Sequence, residues 1–129
     1  MKKRVLVVDD ESSIRVLVAR VLTRHGYDVS EAEDGQEAID ILQTSGPYDA
    51  LVLDLMMPRV DGFGVLDYLV EHRPEMVEKT VVATAYPRTA LRQRLHQVCH
   101  VISKPFEIAL LISSVEACAG MSELPAAEA

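Results

Sequence analysis

No stretch of the 129 residues is apolar over the ~18–20 positions that a membrane-spanning helix requires. The apolar run behind the basic start Met1-Lys2-Lys3-Arg4 is short too: Val5 to Val8 gives way at once to Asp9-Asp10-Glu11, which leaves no core for an export signal and places the expected location in the cytoplasm. Cysteine is scarce. Cys99 and Cys118 have no CxxC spacing, and only His100 adjoins one of them, which argues against a thiolate metal site and predicts two buried free thiols. Positive charge is in deficit, with 13 Lys and Arg against 20 Asp and Glu and a net charge of −7. That balance argues against nucleic acid as a direct ligand, because phosphate backbones select a basic face, and it suits a protein partner with a basic surface. Internal repeats and low-complexity segments are absent as well. What remains, 49% apolar and 26% charged residues, is enough for one globular domain with a real core.

Apolar runs alternate five times with helical periodicity. Val5 to Val8 reads as a strand buried on both faces. Ser12 or Ser13 is expected to cap a first helix carrying Ile14, Leu17, Val18, Val21 and Leu22, stopped by Gly26. Tyr27 to Ala32 reads as a more polar strand near an edge. Ala38, Ile39 and Leu42 mark a second helix after Asp34-Gly35, ending by Gly46-Pro47. Ala50 to Leu53 is a third strand. A loop then leads to Asp61 as the cap of a helix with Phe63, Leu66, Leu69 and Val70, and Pro74 lies beyond its end. Thr80 to Ala83 is a fourth strand and Val101-Ile102 a short fifth. Leu91, Leu95 and Val98 predict a fourth helix, and Ile108, Leu111, Ile112 and Val115 a fifth. Strict strand–helix alternation implies an α/β fold, doubly wound, with a parallel sheet covered on both faces by right-handed crossovers. Past Cys118 the periodicity is lost, so the domain is expected over 3–118, with 119–129 a tail or the start of a linker.

In such a fold the C-terminal ends of the strands share one crevice. Asp9-Asp10 follows the first strand, Asp54 the third, Thr84 ends the fourth, and Lys104-Pro105 follows the fifth. Acids at a helix N-terminus are common for dipole reasons alone, and one aspartate at a strand end is an ordinary turn residue. Three carboxylates converging in one crevice would repel each other, and a hard cation such as Mg²⁺ relieves that repulsion. Lys104 supplies the fixed positive charge that phosphoryl oxygens can meet. The hydroxyl of Thr84 can donate to the same group, with Ala85 leaving room for it to approach. The constellation points to phosphoryl chemistry on an aspartate.

The same pieces carry a family resemblance. Val7-Val8-Asp9-Asp10-Glu11, Ala32-Glu33-Asp34-Gly35-Gln36-Glu37-Ala38, Leu53-Asp54-Leu55-Met56-Met57-Pro58, Asp61-Gly62, Thr84-Ala85 and Lys104-Pro105-Phe106 occur in the order and at the separations of the receiver domain of two-component response regulators, which the chain resembles from Lys3 to Cys118. The resemblance implies a flavodoxin-like (βα)5 fold with strand order 2-1-3-4-5. It implies that Asp54 accepts a phosphoryl group from the phosphohistidine of a histidine kinase or phosphotransfer protein. Asp10, Asp54 and the carbonyl of Met56 would hold Mg²⁺, with Asp9 acting through water. Thr84 and Lys104 would hold phosphoryl oxygens, and the Lys104-Pro105 bond would be cis. The chain would be no enzyme on a separate substrate, catalysing only its own phosphorylation and dephosphorylation. It would signal to a downstream protein or output domain, with a homodimer through the fourth-helix, fifth-strand and fifth-helix face as a further option, and no membrane partner.

The chain departs from the family pattern in two respects. Val101 stands three residues before the lysine, where an aromatic residue commonly swings inward on activation. His100 is no substitute, because neighbouring strand residues point to opposite faces. Switching is therefore expected to be weak or to run through the loop around Thr84 to Pro87. Met56 and Tyr86 offer no carboxylate or amide to orient an attacking water, so slow self-hydrolysis is expected. Three other readings are disfavoured by the residues. A flavodoxin-like mononucleotide binder would not carry Asp9-Asp10-Glu11 where a phosphate loop belongs. An aspartyl phosphatase usually has a second acid where Met56 stands. A degenerate receiver used only for docking would not need the full set of acids, threonine and lysine.

Overall fold

The computed structural model describes residues 2–85 and 97–120. Strands β1 (Arg4–Val8), β2 (Asp28–Ala32), β3 (Ala50–Leu53), β4 (Thr80–Thr84) and β5 (His100–Ser103) form one sheet in the order β2-β1-β3-β4-β5, and every pairing is parallel. This is the doubly wound order anticipated from the resemblance. Its reversal between β1 and β3 opens the crevice in which such folds hold ligands.

Val5–Val8 of β1, Ala50–Leu53 of β3 and Val81–Ala83 of β4 form unbroken apolar runs because both faces are covered, and alternate residues serve different cores. Leu6, Val8, Leu51, Leu53 and Val82 pack on one side with Ala38 and Leu42 of α2 (Gly35–Thr44) and Val65, Leu66 and Leu69 of α3 (Gly62–His72). Val5, Val7, Ala50, Val52, Val81, Ala83 and Ile102 pack on the other side with Val18 and Leu22 of α1 (Ser12–Arg24). Leu111, Ile112 and Val115 of α5 (Ile108–Cys118) complete that second core. A one-residue slip in β1 or β3 would exchange these two sets, so the pattern also sets the register.

Local signals set most of the boundaries. Asp34 and Asp61 cap α2 and α3 by accepting from the backbone N–H groups of Glu37 and Gly64, at 2.8 and 2.9 Å. Gly26, at φ +93°, turns the chain out of α1. The predicted serine cap of α1 is not formed: the helix begins at Ser12 and the capping position is Glu11, whose side chain makes no capping bond. Pro74 does more than follow a helix end, since Pro74–Val77 forms a short helix of its own, α4, with the proline in its first turn. Tyr27 is buried just ahead of β2 rather than within it.

Two further readings change. Cys99 and Cys118 are not free thiols but a disulfide, with Cα atoms 5.9 Å apart. They lie just before β5 and at the end of α5, and residues 19 apart in sequence meet because strand and helix run antiparallel. Of the predicted fourth helix, Leu91 and Leu95 lie outside the described residues, as does Tyr86. Val98 sits in the bend before β5, partly buried against the α2–α3 core.

Candidate functional site

β1, β3 and β5 end at one level of the sheet, and each delivers an ionisable side chain to the crevice. Asp9 and Asp54 are both buried, at 5% and 6% exposure, while Asp10 is exposed. Carboxylate oxygens of all three lie within 4.8 Å of one another. The Lys104 Nζ donates to Asp9 Oδ2 at 2.8 Å and lies 3.4 Å from Asp54 Oδ2. The crevice thus holds three acids and one base, drawn from positions 95 residues apart.

Each group has a local reason for its position. Asp9 is held by the backbone: its N–H donates to the carbonyl of Ala32 at 3.2 Å, and its Oδ1 accepts from the N–H of Glu11 at 2.9 Å. Arg15 on α1 donates to the Asp9 carbonyl at 2.9 Å while pairing with Glu31 at 3.1 Å, which ties β1, α1 and β2 together behind the acids. The N–H of Asp54 donates to the carbonyl of Val8 at 3.0 Å, and the N–H of Met56 donates to Asp54 Oδ1 at 3.3 Å. Lys104 is held at the edge of β4, its N–H donating to the carbonyl of Thr84 at 2.9 Å, and its bond to Pro105 is cis. Thr84 itself is fully buried at the end of β4, and Ala85 beyond it is exposed.

The electrostatics follow from burial. Desolvation pushes the Asp54 carboxyl above its usual range; the Lys104 charge opposes this and the neighbouring Asp9 adds to it. Desolvation works against the Lys104 ammonium, but its hydrogen bond to Asp9 and the charges of Asp54 and Asp9 hold its pKa above the ordinary lysine value. Asp54 is therefore a carboxylate held in an environment that under-compensates its charge. Hard carboxylate oxygens on three side chains, one of them at the surface, form a donor set that fits a hard dication such as Mg²⁺. A depression lined by Asp10, Leu55, Met56, Met57, Pro58 and Asp61 opens beside it.

Two glycines explain motifs that the sequence showed only as patterns. A Cβ on Gly62 would lie 2.3 Å from the carbonyl oxygen of Asp54 and 2.6 Å from the Cα of Leu55. A Cβ on Gly35 would lie 2.1 Å from the Val60 carbonyl, which accepts from the Gly35 N–H at 2.9 Å. The β3–α3 loop is thus packed backbone to backbone against both helices. Arg59, at φ +65°, reaches from that loop to the capping carboxylate of Asp34, its Nε donating at 3.0 Å. Backbone donation from Glu37 lowers the Asp34 pKa first, burial opposes this, and Arg59 lowers it further. Arg15, Arg59 and the close approaches at Gly35 and Gly62 had no sequence reading, because each depends on which loop lies next to which.

Residues 5–116 match the model of the response regulator receiver domain. The chain belongs to that family. Among curated relatives, the receiver is similar to the transcriptional regulatory protein PdtaR of Mycobacterium tuberculosis, 36% identical over 117 residues that cover 88% of this chain and 55% of that protein. It is also similar to the probable transcriptional regulator ycf27 of Cyanophora paradoxa, 50% identical over 68 residues that cover 53% of this chain and 28% of the other. The chain thus spans between about a quarter and about half of the length of these relatives. Among solved structures, the receiver domain of the Francisella response regulator 1452 superposes with a TM-score of 0.83 at 28% identity, covering 94% of this chain and 99% of that one. The response regulator TrrA of Thermotoga maritima, solved in complex with Mg²⁺-BeF, superposes with a TM-score of 0.77 at 33% identity, covering 90% and 98%.

Of the residues named as departures, Val101 and Met56 lie among the described residues. Val101 packs, half-buried, against the α2–α3 core, while His100 on the opposite face approaches Ser114 of α5, Nδ1 to Oγ at 3.3 Å. The alternation expected of a strand is kept, and the histidine does not occupy the place of the missing ring. Met56 is 53% exposed beside Asp54.

Proposed function

We propose that the receiver, taken as 3–118, accepts a phosphoryl group on Asp54 from the phosphohistidine of a histidine kinase or phosphotransfer protein. The observation that carries this reading is the buried Asp54 carboxylate flanked by Asp9, Asp10 and Lys104, with carboxylate oxygens within 4.8 Å and the Lys104 Nζ at 3.4 Å. An Oδ of Asp54 attacks phosphorus as the P–N bond breaks; the bond's electron pair stays on the imidazole nitrogen, and the ring leaves as neutral imidazole with a proton on its other nitrogen or one taken from solvent. Such transfer demands in-line placement and neutralisation of equatorial oxygens more than covalent chemistry by the protein. The Asp54–Met56 backbone turn orients the nucleophile, and the Lys104 ammonium, already in the crevice, meets the incoming charge. Thr84 is at the right strand end to donate its hydroxyl. Mg²⁺, held by Asp10, Asp54 and the Met56 carbonyl with Asp9 behind them, would supply the remaining positive charge.

Phosphorylation adds about −1.5 to −2 charges to the crevice and so shifts the balance between two conformations of the surrounding loops. A downstream protein or an output domain reads that shift, and a homodimer through the β5 and α5 face is a further form it takes. The net charge of −7 disfavours direct nucleic-acid binding by this domain. No helix among the described residues is long and apolar enough to cross a membrane, and the cytoplasm is the proposed location. Met56, which cannot orient a water, supports slow self-hydrolysis.

The test is intact mass after incubation with acetyl phosphate. One phosphoryl adduct that requires Mg²⁺ and is absent from Asp54→Asn is the expected result. An adduct that survives the substitution, or none at all in the native chain, would refute the assignment.

A further inference from the structure

The disulfide lies away from the acidic crevice, at the opposite end of β5 from Lys104. Cys99 precedes β5 and donates its N–H to the carbonyl of Thr80 at 2.9 Å; Cys118 is the last residue of α5. One turn earlier on the same helix face, Ser114 meets His100. Donor atoms of Cys99, His100 and Cys118 lie within 4.8 Å of one another. Joining the two sulfurs closes β5, Lys104, Pro105 and α5 into one covalent ring.

We propose that Cys99 and Cys118 are a reversible thiol–disulfide site, a second input that clamps α5 to β5 when oxidised. The inference rests on the cytoplasmic reading in one respect: a disulfide formed in a reducing compartment is usually transient and redox-sensing rather than permanent. Three features support reversibility. The Cα separation of 5.9 Å lies in the range that a disulfide spans without backbone movement. Cys99 is only partly buried, so an external thiol or disulfide reaches it, while Cys118 is 8% exposed and placed to resolve the intermediate. The exposed His100 imidazole carries a ring nitrogen within 4.8 Å of both sulfurs, where it can take up and return the proton of a reacting thiol.

The reaction balances with a low-molecular-weight disulfide such as oxidised glutathione as oxidant. The Cys99 thiolate attacks one of its sulfurs, a mixed disulfide forms, and one glutathione thiolate leaves. The Cys118 thiolate then attacks Cys99 Sγ and expels the second. Two electrons pass from the protein thiols to the small disulfide, and the two protein protons end on the two released glutathione thiols.

The test uses the full chain in buffers running from oxidised to reduced glutathione, with acid quench, alkylation by iodoacetamide and intact mass. Oxidised glutathione should remove both alkylation labels from the folded protein, and millimolar reduced glutathione should restore both. Cys118→Ser should stop at a glutathione adduct on Cys99. Amide hydrogen exchange in β5 and α5 should be slower in the oxidised form. Labels that persist in oxidised glutathione, or a disulfide that folded protein keeps in reduced glutathione, would overturn the proposal. Stoichiometric retention of Zn²⁺ by the reduced protein, with oxidation blocked, would overturn it in favour of a metal site. Phosphoryl transfer is not read in this assay, so its failure and that of the Asp54 reading are separate results.

Discussion

Replacing Gly62 with alanine tests how the nucleophile is held. The added Cβ would fall 2.3 Å from the Asp54 carbonyl oxygen, 2.6 Å from Leu55 Cα and 2.9 Å from Leu55 Cδ2. The first two neighbours are backbone, so no rotamer change relieves them. The start of α3 must lift from the end of β3 by roughly 1 Å, which strains the bond from the Gly62 N–H to the Leu55 carbonyl, now 3.0 Å. Overpacking of this kind costs about 1–3 kcal/mol, and for a domain of this size that lowers the melting temperature by roughly 4–10 °C. The same shift moves Asp54, and a misplacement of about 1 Å can slow a reaction on the order of a hundredfold. Differential scanning calorimetry without metal reads the first effect, and the rate of phosphoryl-adduct formation from acetyl phosphate with Mg²⁺ reads the second. Gly46→Ala is the control, because the nearest atom to its new Cβ is the flexible Arg4 guanidinium at 3.6 Å. A Gly62→Ala protein that melts with the native chain and is phosphorylated at the native rate would refute the claim that backbone packing positions Asp54.

Asp54→Asn should raise the melting temperature of the metal-free protein at neutral pH. Burial first, and then Asp9, raises the Asp54 pKa in the fold, so its stabilising contribution is complete below the unfolded carboxyl value and is lost as pH rises through the folded one. The advantage of the variant should therefore shrink as pH falls, and thermal melts across pH read it. Asp34→Ala removes both the α2 cap and the partner of Arg59, and should cost about 1–2 kcal/mol in chemical denaturation. The lowered pKa of Asp34 makes that contribution present above the unfolded carboxyl value and lost as pH falls through the folded one, so variant and native stabilities should converge in acid. Lys104→Met leaves the buried Asp9 and Asp54 without their cation; metal-free stability should drop, Mg²⁺ should restore more of it than in the native chain, and adduct formation should slow. Equal Mg²⁺-induced shifts in melting temperature would count against charge compensation as the role of Lys104.

Much of this receiver was legible in one dimension because its signals are local. The unbroken apolar run Ala50–Leu53 is β3 residue for residue, since a strand covered on both faces needs no alternation. Asp61 caps α3, as its place ahead of an apolar periodic run implied, because a short carboxylate side chain reaches the N–H three residues ahead. Strict strand–helix alternation forces a parallel sheet, and a parallel sheet gathers the residues just past its strand ends. The meeting of Asp9, Asp10, Asp54 and Lys104 was therefore implied before any coordinate. Contacts between segments with no common period became legible only in the folded chain. Nothing local distinguishes two free cysteines from a pair until α5 folds back along β5 and sets their Cα atoms 5.9 Å apart. Arg59 reads as a loop charge until the chain turns at φ +65° and brings it to Asp34. Gly35 and Gly62 are only letters of a motif until two backbones approach too closely for a Cβ. Periodicity and capping are properties of a dozen consecutive residues, whereas these depend on distances that exist only once the sheet, its helices and its loops are packed together.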